Sequence, residues 1–183
     1  DEWKQLVYFK ASNATSQSSF GSSVDCNFDE TPIIAVGATG EKNCSTGVNA
    51  ASANNSCTNS GAAYIFTKED PNPWLETRVK ATNTGNDDKF GTSLKVNTNM
   101  VIVGAPYEDS CDTGLTGAPS GNGCNNSGAI YLYEREEDLW KAQVVVKANV
   151  ADADDLFGTA MAISPNHLSV TAPGESSCAT GFG

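Results

Sequence analysis

The chain has 183 residues, a length that suits one ordinary domain or slightly more. Hydrophobic residues make up 39% and charged residues 18%; Ser, Thr, Asn and Gly fill the difference, and the 17 Gly and 7 Pro are too few for collagen or a disordered tract. A net charge of −11 repels phosphate backbones and anionic lipid, and no apolar run approaches the ~18 residues that cross a bilayer, so neither nucleic-acid binding nor membrane insertion is expected.

In chain order, residues 1–12 read as a single strand running from Trp3 to Lys10-Ala11. The start, Asp1-Glu2-Trp3-Lys4, has neither the basic opening nor the apolar core of a signal peptide, as expected after signal removal or in a piece of a longer chain. Phe20-Gly21 then opens a unit that passes through Val36-Gly37-Ala38, Cys44, Cys57, Ser60-Gly61-Ala62, Tyr64-Ile65-Phe66 and Trp74 to Lys80-Ala81. A second unit repeats these landmarks in order: Phe90-Gly91, Val103-Gly104-Ala105-Pro106, Cys111, Cys124, Ser127-Gly128-Ala129, Tyr131-Leu132-Tyr133, Trp140 and Lys147-Ala148. Phe157-Gly158 begins a third, which reaches Val170-Thr171-Ala172-Pro173 and Cys178. The period is roughly 67–70 residues, a length that marks repeated supersecondary units.

Each unit reads as four strands. In the second, strand A covers Gly91–Val96 with alternating character, and strand B, Met100–Val103, is a continuous apolar run that suits burial on both faces. Strand C is Ala129–Tyr133 and strand D runs from Trp140 to Lys147. No segment has a capped 3.6-residue apolar period, so almost no helix is expected. Four antiparallel strands at a fixed period suggest an all-β fold of β-propeller blades, with Trp3, Trp74 and Trp140 in equivalent places.

The Phe-Gly pairs at 20–21, 90–91 and 157–158, each followed by Val-Gly-Ala or Val-(Gly/Thr)-Ala-Pro, resemble FG-GAP repeats, as in the integrin α-subunit propeller and secreted bacterial proteins. The Ser-Gly-Ala-x-Tyr-x-(Phe/Tyr) segments and the Trp-to-Lys-Ala strands resemble the secreted bacterial branch most. The resemblance covers essentially the whole chain. It implies a seven-bladed propeller used for adhesion, recognition or scaffolding outside the cytoplasm. On this spacing seven blades need roughly 470 residues, so the chain reads as a partial propeller: 1–12 as the last strand of a preceding blade, 20–81 and 90–148 as full blades, and 157–183 as the first two strands of another. Its open ends would be completed by the remaining blades or by further copies.

Cys44 with Cys57 and Cys111 with Cys124 sit at equal spacing in equivalent loops of about 20 residues, long for a connection. With no C-x-x-C and one His, disulfides fit better than metal binding, and they imply a secreted or cell-surface location. Cys26 has no repeat-mate, and the partner position of Cys178 falls past Gly183, so both are expected to be unpaired within this chain. The B–C and D–A loops (39–60, 106–127, 82–89 and 149–156) are expected on one face, where loops on a rigid scaffold carry binding.

Glu41, Glu108 and Glu175 recur in every unit, which points to a structural role. Asp87-Asp88 and Asp154-Asp155 suit turn hydrogen bonds. His167, the one His, lies where the second unit has Met100, so a surface or packing role is expected rather than catalysis. No phosphate-binding loop and no singled-out carboxylate pair is present. Asn-x-Ser/Thr sequons occur at Asn13, Asn43, Asn54 and Asn125.

The first A–B turn is three residues longer than the second and contains Asp25-Cys26-Asn27-Phe28-Asp29. This D-x-N-x-D spacing can aim alternate oxygens at one calcium ion. FG-GAP repeats of integrins resemble it, with two departures: Glu30 replaces the Gly of the sharp turn and Ile33 the final Asp. Asp25, Asn27 and Asp29, with the Thr31 carbonyl, would form the site; an Asx-turned hairpin tip is the other reading. The expected function is a non-enzymatic extracellular adhesion or recognition module with a protein or glycan ligand. A propeller domain of a secreted polysaccharide-active enzyme and a structural subunit of a surface filament are the alternatives.

Overall fold

The computed structural model describes residues 2–5, 7–51, 54–116 and 119–177. Cys178 lies outside the described residues. These residues form antiparallel sheets without a helix. In the first sheet β1 (Phe20–Asn27), β2 (Ile33–Ala38), β3 (Gly47–Val48), β4 (Ala62–Lys68) and β5 (Trp74–Lys80) stand in the order β1-β2-β4-β5-β3. The second repeats it with β6 (Ser93–Val96), β7 (Met100–Ala105), β8 (Leu115–Thr116), β9 (Ala129–Glu136) and β10 (Leu139–Val146). β11 (Met161–Ser164) and β12 (His167–Val170) form a two-stranded third sheet.

Strands A to D of the two full units thus follow the sequence landmarks. The short strands β3 and β8 were not expected. Each lies inside a B–C loop and folds back onto the outer edge of its own strand D.

Burial follows the alternation of the strands. Ile33, Ala35, Ile65 and Val79 on one face of the first sheet share a core with Phe90, Leu94, Val96, Val101, Val103, Tyr131 and Tyr133 of the second. Val36, Ala38, Tyr64 and Phe66, on the opposite face of the first sheet, cluster with Phe9, Phe20, Ile34 and Trp74. The units therefore pack face to face. Phe90 is fully buried, with edge-on contacts to Tyr131 and Tyr133.

The glycines of the repeat allow this close approach. A Cβ on Gly37 would lie 2.2 Å from the carbonyl oxygen of Gly91, and one on Gly104 would lie 2.3 Å from that of Gly158. The same carbonyls accept Ser23 and Ser93 hydroxyls, each at 2.6 Å.

Residues 1–12 depart from expectation. Among the described residues before Phe20 there is no strand, and Trp3 is fully exposed, whereas Trp74 is half-buried and Trp140 buried. Both β5 and β10 pair with the strand C that precedes them, whereas among the described residues the Trp3 segment pairs with no strand. Only the end of the segment docks: the Phe9 ring sits 4.4 Å from Phe66 and 5.0 Å from Trp74.

Candidate functional site

Each B–C loop begins where strand B ends and closes where strand C starts, and a disulfide joins its two arms. Cys44 pairs with Cys57 and Cys111 with Cys124, while Cys26 is free and exposed. Three residues outside each disulfide stand Glu and Ser: Glu41 and Ser60 in the first loop, Glu108 and Ser127 in the second. These residues grip the lysine that ends strand D. Lys80 Nζ donates to Glu41 Oε2 at 2.6 Å, Ser60 Oγ at 2.9 Å and the Gly61 carbonyl at 2.7 Å. Lys147 repeats the arrangement, with its ammonium on Glu108 and 2.8 Å from Ser127 Oγ. Burial pulls the Lys80 ammonium down from its ordinary value, and the Glu41 carboxylate opposes that shift.

The other carboxylate oxygen reaches back to the preceding unit. Asn83 Nδ2 donates to Glu108 Oε1 at 2.7 Å, and Asn83 Oδ1 accepts the Tyr131 hydroxyl at 2.6 Å. Asn13 bridges Glu41 and Tyr64 in the same way, at 3.4 Å and 2.6 Å. Burial raises the phenols of Tyr64 and Tyr131, which keeps them as donors. The result is one Tyr–Asn–Glu–Lys–Ser network per sheet. A Ser hydroxyl beside a Lys amine is also a nucleophile–base geometry. Here Ser60, Lys80, Ser127 and Lys147 are all buried, and their bonds go to protein, so substrate cannot reach them.

The D–A loops are laced to the stapled ones. Asp87 and Lys89 amides donate to the Thr58 and Asn59 carbonyls, and Asp154 and Leu156 amides to those of Asn125 and Asn126. Asn59 Nδ2 donates to Asp87 at 2.8 Å and Asn126 Nδ2 to Asp154 at 2.7 Å. Asp88 and Asp155 are buried and accept the amides of Gly85 and Asp152 at 2.7 and 2.8 Å. Burial pushes the Asp88 carboxyl up to about 7. The paired aspartates thus serve as turn acceptors. Both loop sets meet at one end of the sheets.

The calcium candidates are not gathered at one point. Asp25 lies within β1, accepts the Val96 amide at 2.9 Å and stands 3.6 Å from Lys95 Nζ. Asn27 and Asp29 bond each other instead: the Asp29 amide donates to Asn27 Oδ1 and Asn27 Nδ2 to Asp29 Oδ2, both at 2.9 Å. This is an Asx-turned tip with Asp25 committed to the next sheet, and the set does not fit calcium in this arrangement. Among the described residues no group of three or more His, Cys, Asp or Glu could hold a metal. His167 is exposed at the start of β12. Glu175 caps the Ser177 amide, which holds its carboxyl below the usual range.

The lysines were missed in the sequence, where Lys-Ala served only as a strand marker. A signal was present: Lys follows Glu by 39 residues and Ser by 20 in both units. No protein-family model and no curated protein matches the chain.

Proposed function

We propose that this chain is a run of FG-GAP-type propeller blades and acts outside the cell as a recognition or adhesion module. Its ligand, a protein or a glycan, is held by the disulfide-stapled loops. The observation that carries this reading is the convergence of the loops. Both stapled loops leave the same end of neighbouring sheets, and each is bonded to the D–A loop that follows it. Such a surface combines rigid anchoring with loops rich in Ser, Asn and Thr, as suits binding on a scaffold. Two disulfides suit an oxidising compartment, and among the described residues no helix is long and apolar enough to cross a membrane.

The test is binding to arrays of glycans and extracellular proteins, with the oxidised protein and with Asn55→Ala/Asn125→Ala. Both side chains are exposed in the loops. A ligand that the wild type holds and the variant loses supports the reading. Absence of any ligand, binding indifferent to the loops, or turnover of a polysaccharide abolished by one substitution overturns it.

A further inference from the structure

The stapled loops have a second consequence, at the outer edges of the sheets. β10 pairs with β9 on one side, and on the other only its last two residues are covered, Val145 by Thr116 and Val146 by Leu115. A bulge between Ala142 and Val144 interrupts the earlier part of the strand. Bulges and short caps are how sheet edges avoid pairing with other chains. Beyond the bulge lies a regular, uncharged, β-branched run, Val144-Val145-Val146, and β8 covers its last two residues.

The two caps are held differently. In the first loop the Asn49 amide donates to the Arg78 carbonyl at 2.8 Å, and the Arg78 amide to Asn49 Oδ1 at 2.9 Å. The Arg78 guanidinium also reaches Ser45 Oγ and the Ala50 carbonyl. In the second sheet the residue at the register of Arg78 is Val145, each standing opposite the first Tyr of its strand C. Valine has no side-chain donor. Outside the ladder, Gly114 adds two backbone bonds, to Lys147 at 2.8 Å and to Ala148 at 3.3 Å. Leu115 is 77% exposed and contributes little packing. Hydrogen bonds close the base of the loop, from Cys124 and Asn126 amides to Asp109 and from Ser127 Oγ to the Ser110 carbonyl, and the Cys111–Cys124 bond is the covalent link between the arms that carry β8.

We propose that the Cys111–Cys124 disulfide is a redox-released cap on β10, and that opening it lets β10 pair with β10 of a second copy of this chain. A thiol or phosphine reductant supplies the two electrons and is oxidised to its disulfide or phosphine oxide; the S–S bond breaks, and Cys111 and Cys124 each take up a proton as free thiols. Paired antiparallel about Val145, the run Val144–Val146 meets its own copy with no charges opposed.

The test is the solution mass by light scattering in a Cys26→Ser/Cys178→Ser background, which removes intermolecular disulfides. Cys111→Ser/Cys124→Ser doubles the mass, and the 114–116 amides lose protection from hydrogen exchange while those of 144–147 keep it. Cys44→Ser/Cys57→Ser leaves the mass unchanged, because Arg78 and Asn49 hold its cap. Equal masses for all three proteins overturn the proposal, as does equal association of both double variants. Should the 111/124 variant fail to fold, mild phosphine reduction of the background protein, with thiols counted by intact mass, gives the same readout: no rise in mass once the second disulfide is open refutes the cap.

Discussion

Lys80 Nζ lies 2.6 Å from Glu41 Oε2, with the two side chains 1% and 5% exposed. Lys147 and Glu108 repeat the pair one unit later, at 0% and 1%. Such burial is tolerable because the ions have further partners: Lys80 also donates to Ser60 and the Gly61 carbonyl and Lys147 to Ser127, while the carboxylates accept backbone amides as well. The pair ties the end of strand D to both arms of the stapled loop.

Removing one partner strands the other. Lys80→Met leaves the Glu41 carboxylate buried without its counter-charge and is expected to cost about 3–5 kcal/mol. The double variant Lys80→Met/Glu41→Leu recovers much of that loss. Urea unfolding of the single and double variants measures both, and a single variant as stable as wild type would contradict the network.

Gly37→Ala and Gly104→Ala place a methyl group 2.2 and 2.3 Å from a backbone oxygen of the next unit. Backbone cannot swing aside as a long side chain can, so each is expected to lower stability by about 1–3 kcal/mol. Gly47, where a Cβ meets nothing within 4 Å, provides the comparison for close approach. Its φ of +78° still penalises Ala. Thermal unfolding of the three variants should rank Gly37 and Gly104 as the more sensitive sites.

Much of the fold was legible because the landmarks are steric. Phe90 must be buried, Gly37 must lack a side chain, and the apolar run Met100–Val103 must be covered on both faces, so these residues mark the same strands in each unit. The buried ion pairs were less visible. Lys and Glu are read as surface residues unless a partner is known, and the partners lie 39 residues apart in the chain. The caps β3 and β8 carry no sequence pattern, since two residues cannot show a period. At Asp25 the spacing suggested a ligand set, but strand pairing with Ala35 turned its carboxylate to Lys95 and Val96 of the second sheet.

That commitment of Asp25 is testable. Asp25→Ala removes an acceptor from the Val96 amide and a charge near Lys95, both at the junction of two sheets. The expected loss is about 1–2 kcal/mol in calcium-free buffer. Calorimetric titration with millimolar calcium should give the same heat for wild type and variant. A calcium-dependent heat present in wild type and absent in Asp25→Ala would restore the metal reading.

The last prediction concerns pH. Asp88 is 4% exposed, and burial, its largest influence, raises its carboxyl from 3.8 to about 7, with Glu108 and Asp109 adding in the same direction and the Gly85 amide opposing. A carboxyl whose folded value lies above its unfolded value binds protons more tightly in the folded state. Between about 4 and about 7 the native protein therefore holds a proton that the unfolded chain has lost, and stability falls as pH rises through that window. Above about 7 both states are ionised and the loss is complete. Asp88→Asn keeps an oxygen for the Gly85 amide and removes the ionisation. The variant should match wild type near pH 4 and exceed it by up to about 4 kcal/mol at pH 8. Urea midpoints of both proteins from pH 4 to 8 give the comparison. Parallel curves, or a variant that loses stability at high pH, would show that Asp88 is not held neutral by its burial.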